Sequence, residues 1–186
     1  MVYADFEELK TDRLRLRRLR NSDAEDFFRF AGSESVTKFM LWNPHKNGTE
    51  SAASIEKSLA RYEEGKYYRW GIALQENDTL IGIIDLLGFN EAENACSFAY
   101  MLAEDFWGRG FGTEALTAVL DFAFRKLNVS AVAADHFGEN LSSGAVMRKA
   151  GMQYCGTVPG KYHKNGTFYD APQYRITAEA WKNAIS

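Results

Sequence analysis

The most constraining feature of this sequence is a change of period at one short glycine-rich segment. From Ala95 to Leu102 the residues alternate, with Phe98 and Tyr100 on one face, as in a strand. Beyond Trp107-Gly108-Arg109-Gly110-Phe111-Gly112-Thr113, residues Ala115, Leu116, Val119, Leu120, Ala123 and Leu127 recur at helical spacing. A strand therefore feeds a long helix through alternate glycines. Glycine lets the backbone take positive φ and approach a ligand closely. The free N–H groups that open a helix converge and carry about half a positive charge, which suits phosphate. Arg109 adds a cation. The plainer alternative is a glycine-rich turn that merely caps the helix.

Three nucleotide-type ligands use such loops. A Walker loop needs Gly-Lys-Ser/Thr, and here Gly112-Thr113 has no lysine. A dinucleotide fingerprint follows the first strand of a βαβ unit, whereas this loop follows a meander. The pyrophosphate of coenzyme A is the reading left.

The rest of the chain reads as mixed α/β. Leu14 to Leu19 is a first strand. Asn21-Ser22-Asp23 offers caps for a helix ending near Ala31. Phe39 to Gly48 is irregular and aromatic, and Thr49 or Ser51 caps a helix with Ile55, Leu59 and Tyr62 on one face. Tyr68 to Leu74, Leu80 to Phe89 and Ala95 to Leu102 form a meander. Ala131 to Ala134 is a buried-type strand, and Ser142 to Ala150 a helix stopped by Gly151. Gln153 to Tyr162 and Phe168 to Thr177 flank the hairpin signal Lys164-Asn165-Gly166, and Ala178 to Ile185 closes the chain as a helix.

With 186 residues and no repeat or linker, residues 1–186 read as one domain. A net charge of −3 gives no sign of nucleic-acid binding. Arg13, Arg15, Arg17, Arg18 and Arg20 interleave with leucines and read as the wet face of a strand. No apolar run is long enough for a bilayer, and Met1 to Lys10 lacks a signal-peptide core, so a cytoplasmic protein is expected. Cys96 and Cys155 are expected to be small buried apolar residues. His45, His136 and His163 lack metal-ligand spacing, so no metal is expected.

A second motif runs Asn140-Leu141-Ser142-Ser143, then Val146, Lys149, Gly151 and Met152. Asn140 alone reads equally as a helix cap.

Taken in order, these residues resemble the GNAT N-acetyltransferase superfamily, and within it the branch of Rim-type ribosomal-protein N-terminal acetyltransferases. The resemblance covers nearly the whole chain: Leu9 to Arg17, Asp23-Ala24, Trp42, Leu80-Ile81-Gly82, Tyr100-Met101-Leu102, Trp107 to Ala115, then Asn140, Ser143, Lys149, Gly151, Asp170 and Tyr174. It implies a strongly twisted mixed sheet flanked by helices and splayed between the fourth strand, ending at Leu102, and the fifth, at Ala131. It also implies an acetyl-CoA site in that opening. Backbone groups of Met101 and Leu102 would pair with the pantetheine arm. The loop Trp107, Gly108, Arg109, Gly110, Phe111, Gly112 and Thr113, with Lys149, would hold the phosphates. Asn140 would contact the pantetheine, and Ser143 would donate to the sulfur.

The sequence departs from the branch where Ser97-Phe98-Ala99-Tyr100 stands in place of a glutamate-containing strand. No base is carried over with that glutamate. Asp85 is the first candidate base, with Asp135, His136 or water as alternatives. A peptide α-amine titrates near 7.7–8.0 against about 10.4 for lysine, so near neutrality about 300-fold more of it is already free base. An N-terminal α-amine is therefore the expected acceptor. The open alternatives are a small amine (amino acid, polyamine or aminoglycoside) and a non-catalytic acetyl-CoA sensor. The acceptor site is expected to be built from the segment Phe39 to Pro44 and the final hairpin, with Trp42, Tyr162, Phe168, Tyr169 and Asp170 as candidates to meet the acceptor, and the final hairpin edge is a candidate for homodimer pairing.

Overall fold

The computed structural model describes residues 5–64 and 67–184. Eight strands form one sheet: β1 (Leu9–Lys10), β2 (Leu14–Arg17), β3 (Tyr68–Leu74), β4 (Leu80–Asn90), β5 (Ala95–Leu102), β6 (Ala131–Asp135), β7 (Gln153–Lys164) and β8 (Thr167–Thr177). Their spatial order is β1-β2-β3-β4-β5-β6-β8-β7. The helices are α1 (Ala24–Ala31), α2 (Glu34–Thr37), α3 (Gly48–Glu63), α4 (Phe111–Arg125), α5 (Leu141–Lys149) and α6 (Ala178–Ala184).

The apolar pattern of the meander is filled from both sides. Ile84 and Leu86 of β4 share a core with Trp70 of β3 and with Leu116, Leu120 and Phe122 of α4. Leu80 and Ile83 of the same strand belong to a second core, with Phe27 and Phe30 of α1 and Ile55 of α3. A strand covered on both faces reads as a near-continuous apolar run, which Leu80 to Leu87 shows.

Every neighbouring pair is antiparallel except β5 and β6. Those two run parallel and pair only at Ala95↔Ala131, Cys96↔Val132 and Ser97↔Ala133. β6 then stays with β8 through Ala134 and Asp135, while β5 stays with β4 as far as Leu102. The sheet therefore opens between β5 and β6, as expected, and α4 and α5 follow the two strands that part.

The structure corrects several local expectations. The first strand stops at Arg17, and the two short elements β1 and α2 lacked any periodic signal. Asn47 caps α3, its side chain accepting from the Glu50 amide at 3.1 Å, in place of Thr49 or Ser51. Asn21–Asp23 forms a 3-10 turn before α1. Arg17 is not on a wet face: it is 1% exposed and forks onto Asp23 through two bonds of 2.9 Å. Cys96 is buried, and its thiol is pushed up to about 12 by desolvation, but Cys155 is exposed. Ile185, the expected end of the last helix, lies outside the described residues. Among the described residues, no helix is long and apolar enough to cross a membrane, and no three His, Cys, Asp or Glu side chains group as metal ligands.

Candidate active site

The split between β5 and β6 opens into a cleft of about 290 Å³. One end is the glycine loop. Gly108 and Gly110 hold φ of +70° and +86°, which side-chain-bearing residues rarely adopt. Gly110 is the N-cap of α4, and no side chain caps that helix, so its first amides lack a partner within it. A cap-free helix start with positive-φ glycines is a fitting cradle for a diphosphate.

That cradle is braced from the turn between β1 and β2. Glu114, in the first turn of α4, accepts from the Arg13 amide at 2.9 Å and from its guanidinium at 2.7 Å, and from the Thr11 hydroxyl at 2.5 Å. Arg13 also donates to the Arg109 carbonyl at 3.0 Å. Burial alone would push the Glu114 carboxyl up, but these hydrogen bonds outweigh it and hold it below the ordinary value. Arg109 itself lies between the rings of Phe106 and Phe111, 5.4 and 5.2 Å from their centroids.

β5 supplies the long wall. The Ala103 amide donates to Ile81 of β4 at 2.8 Å, and direction alternates along a strand, so Met101 also turns its backbone groups into the sheet. Tyr100 and Leu102 turn theirs toward the opening. This differs from the expectation for Met101, which lines the cleft without offering it a free backbone pair. The Leu102 carbonyl is taken by the Trp107 indole at 2.8 Å, which leaves the Leu102 amide as the outward donor.

α5 forms the opposite wall. The Asn140 side-chain carbonyl accepts from the Ser143 amide at 3.2 Å, so Asn140 caps α5 and lines the cleft at the same time. Ser143 is buried and lines the cleft together with the Tyr100 phenol. Desolvation pushes that phenol up, only partly opposed by Ser143, so Tyr100 stays a neutral O–H at physiological pH.

The cleft brings together Met101, Leu102, Trp107, Gly108, Gly110, Gly112, Thr113, Asn140, Ser143 and Lys149. Arg109 and Phe111 support the loop from outside. The three candidate bases stand elsewhere. Asp85 forks onto Arg69 at 2.6 and 2.8 Å, on the sheet face where Arg69 also donates to Ser58 of α3. Asp135 is held by Lys161 and the Tyr162 hydroxyl. His136 is buried against Tyr174, its Nδ1 at 2.7 Å from the Phe137 carbonyl. Asp170 accepts from the Gly160 amide at 2.9 Å and pins the hairpin. Trp42 packs on His45 and Phe168 on His163, away from the lining. Phe39 and Met40, from the segment Phe39 to Pro44 expected to build the acceptor site, do line the cleft as a third wall, whereas sequence reading missed Ser35 and Val36 of α2 and the Tyr100 phenol. The alternation of β5 gave Tyr100 a face. Nothing local pointed to α2.

An uncapped helix start beside a split mixed sheet can hold a diphosphate-bearing donor, and the class of protein is an acetyl-CoA-dependent acetyltransferase. The chain belongs to the GNAT family: the acetyltransferase (GNAT) domain model matches residues 13–153. Among its relatives is an uncharacterized N-acetyltransferase of Bacillus subtilis, YoaA, 29% identical over 92% of this chain and 97% of that protein. A GNAT-family acetyltransferase from Bacillus anthracis shares the fold at a TM-score of 0.84, with 20% identity over 93% of this chain and 99% of that one. A Vibrio cholerae spermidine N-acetyltransferase, solved with CoA and spermine, shares it at 0.78, with 19% identity over 93% of this chain and all of that one. A Bacillus subtilis protein named "Putative ribosomal N-acetyltransferase YdaF", 26% identical over 56% of this chain and 57% of that protein, also stands among the relatives, in agreement with the Rim-type resemblance.

Proposed function

We propose that the enzyme acetylates a peptide or protein N-terminal α-amine by direct attack. The observation that carries this reading is the make-up of the cleft. Among the described residues, Lys149 is its one charged side chain, and no carboxylate or imidazole lines it. An amine that must arrive as free base is better served by an α-amine than by a lysine, whose neutral fraction near neutrality is about 300-fold smaller.

Acetyl-CoA supplies the activated acyl carbon. The amides of Gly112 and Thr113, with Lys149, would hold its phosphates, and Asn140 would meet the pantetheine through its amide N–H₂. Transfer forms a C–N bond and breaks the C–S bond. The Leu102 amide would stabilise the developing oxyanion, a role worth about 3–4 kcal/mol in other acyl transfers. The proton lost by nitrogen goes to water, and the departing thiolate meets the Ser143 hydroxyl backed by the Tyr100 phenol. A single chain with residues 1–186 acting as one catalytic unit in the cytoplasm fits this reading.

The test is thiol release from acetyl-CoA with peptides of varied N-termini, lysine peptides, free amino acids, polyamines and aminoglycosides. The expected result is release with peptide α-amines, and a kcat lowered about a hundredfold, the low end for loss of a general-acid-type donor, by Ser143→Ala. A preference for lysine side chains over N-termini would sink the reading.

A further inference from the structure

α5 carries Ser143 to the cleft, and the residue after it is Gly144, buried against Tyr174 of β8 and His136 just beyond β6. A glycine inside a helix weakens it relative to alanine. Gly144 is not among the positive-φ glycines, so its backbone freedom goes unused. What the position gains is close approach. A Cβ there would stand 2.8 Å from His136 Nε2, 3.0 Å from the Tyr174 hydroxyl and 3.3 Å from an Arg148 guanidinium nitrogen, whereas ordinary contact begins near 3.4 Å.

The floor beneath Gly144 is stiff. His136 Nδ1 lies 2.7 Å from the Phe137 carbonyl, which assigns the ring proton to Nδ1. Nε2 is then a bare acceptor, buried with no hydrogen-bond partner among the described residues. The imidazole stacks on Tyr174, with 5.7 Å between ring centroids. Tyr174 is paired with Ala134 of β6, and its hydroxyl accepts from Arg148 at 2.8 Å. Arg148 stands one turn beyond Gly144, so this bond draws α5 onto the same floor. An orphaned buried acceptor is destabilising, as a helical glycine is. Both occur where α5 meets the sheet, directly beside Ser143.

We infer that Gly144 is a positioning residue for acetyl transfer: it lets α5 settle on His136 and Tyr174, and so fixes the depth at which the Ser143 hydroxyl enters the cleft. A Cβ would lift this turn by about 0.6 Å, from 2.8 Å to an ordinary 3.4 Å. Displacing a catalytic group by about 1 Å costs about a hundredfold in rate. The inference rests on the reading of Ser143 as the donor to the departing thiolate.

The experiment is a double-mutant cycle, read as kcat at saturating acetyl-CoA with the fastest acceptor of the panel above. Gly144→Ala is expected to lower kcat about tenfold with the KM for acetyl-CoA nearly constant. In a Ser143→Ala background the same change should cost nothing more, because coupled effects do not multiply. Adding His136→Ala to Gly144→Ala should restore most of the loss, since the methyl then takes the space the ring leaves. Tyr174→Phe adds no bulk and keeps the ring floor while freeing Arg148, so it carries the same cycle if alanine at position 144 prevents folding. Its loss should be severalfold and again absent beside Ser143→Ala. The same fractional loss in both backgrounds, or a loss that His136→Ala leaves in place, overturns the inference. If Ser143→Ala is impaired and Gly144→Ala is not, the inference fails alone. If Ser143→Ala itself keeps full kcat, the donor reading fails and the inference falls with it.

Discussion

Arg17 shows how much one residue's surroundings change its meaning. It follows Leu16 in an alternating run of arginines, yet it is the member turned inward. It forks onto Asp23, reaches Asp78 at 2.9 Å and meets the Arg18 and Asp78 carbonyls. The guanidinium geometry satisfies two carboxylates at once, which a lysine would not do. Asp23 is itself buried, with its carboxylate also accepting from the Arg20 amide at 2.7 Å. Replacing Arg17 with Met leaves that carboxylate buried without its main partner, and the expected cost is about 3–5 kcal/mol. Urea denaturation measures this directly. A loss below about 1 kcal/mol would mean that water reaches Asp23, and that the pair contributes little.

At the scale of elements, the start of α4 is held to the turn between β1 and β2 by Glu114, Thr11 and Arg13. Glu114 lies about a hundred positions from the other two in sequence, and the three tie the glycine loop to the turn between β1 and β2. Burial raises the Glu114 carboxyl, and the hydrogen bonds from Thr11 and Arg13 more than reverse this, so its folded pKa lies below the ordinary value of 4.5. A depressed carboxylate pKa means stability that is complete above the unfolded value and lost as pH falls through the folded one. The unaltered protein should therefore lose Tm more steeply below about pH 4.5 than Glu114→Gln does. At neutral pH the same substitution should raise the KM for acetyl-CoA several-fold with kcat nearly constant, because it loosens the cradle and not the walls. Parallel Tm curves from pH 3 to 6 for the two proteins would remove the linkage argument.

The whole molecule decides the proton chemistry. Asp85, Asp135 and His136 come from strands on either side of the split, and packing commits each of them elsewhere: to Arg69, to Lys161 and Tyr162, and to the core beside Tyr174. With no carboxylate or imidazole lining the cleft among the described residues, kcat/KM for a peptide acceptor should rise about tenfold per pH unit and level off near the amine's own pKa of about 7.7–8.0. Changing the acceptor amine should move the inflection with it. An inflection that stays at one pH across acceptors of different basicity would reveal a base on the enzyme.

Sequence alone determined what depends on neighbours along the chain. The alternation of the meander, the period change at Gly108 to Gly112, the hairpin signal at Asn165-Gly166 and the Asn140 cap all act within a few residues. Each appears in the structure where the local pattern places it. Tertiary structure decided what depends on which elements meet. Sheet twist and the short register of β5 with β6 opened the cleft, and inserting β8 beside β6 left β7 as the edge. Packing brought α2, a four-residue helix with no periodic signal, over the site and so made Phe39 and Met40 its third wall. The same packing buried Arg17 and paired Asp85 with Arg69. A charged side chain's role is set by the partner that replaces its water. That partner lies on another element, so local pattern does not encode it.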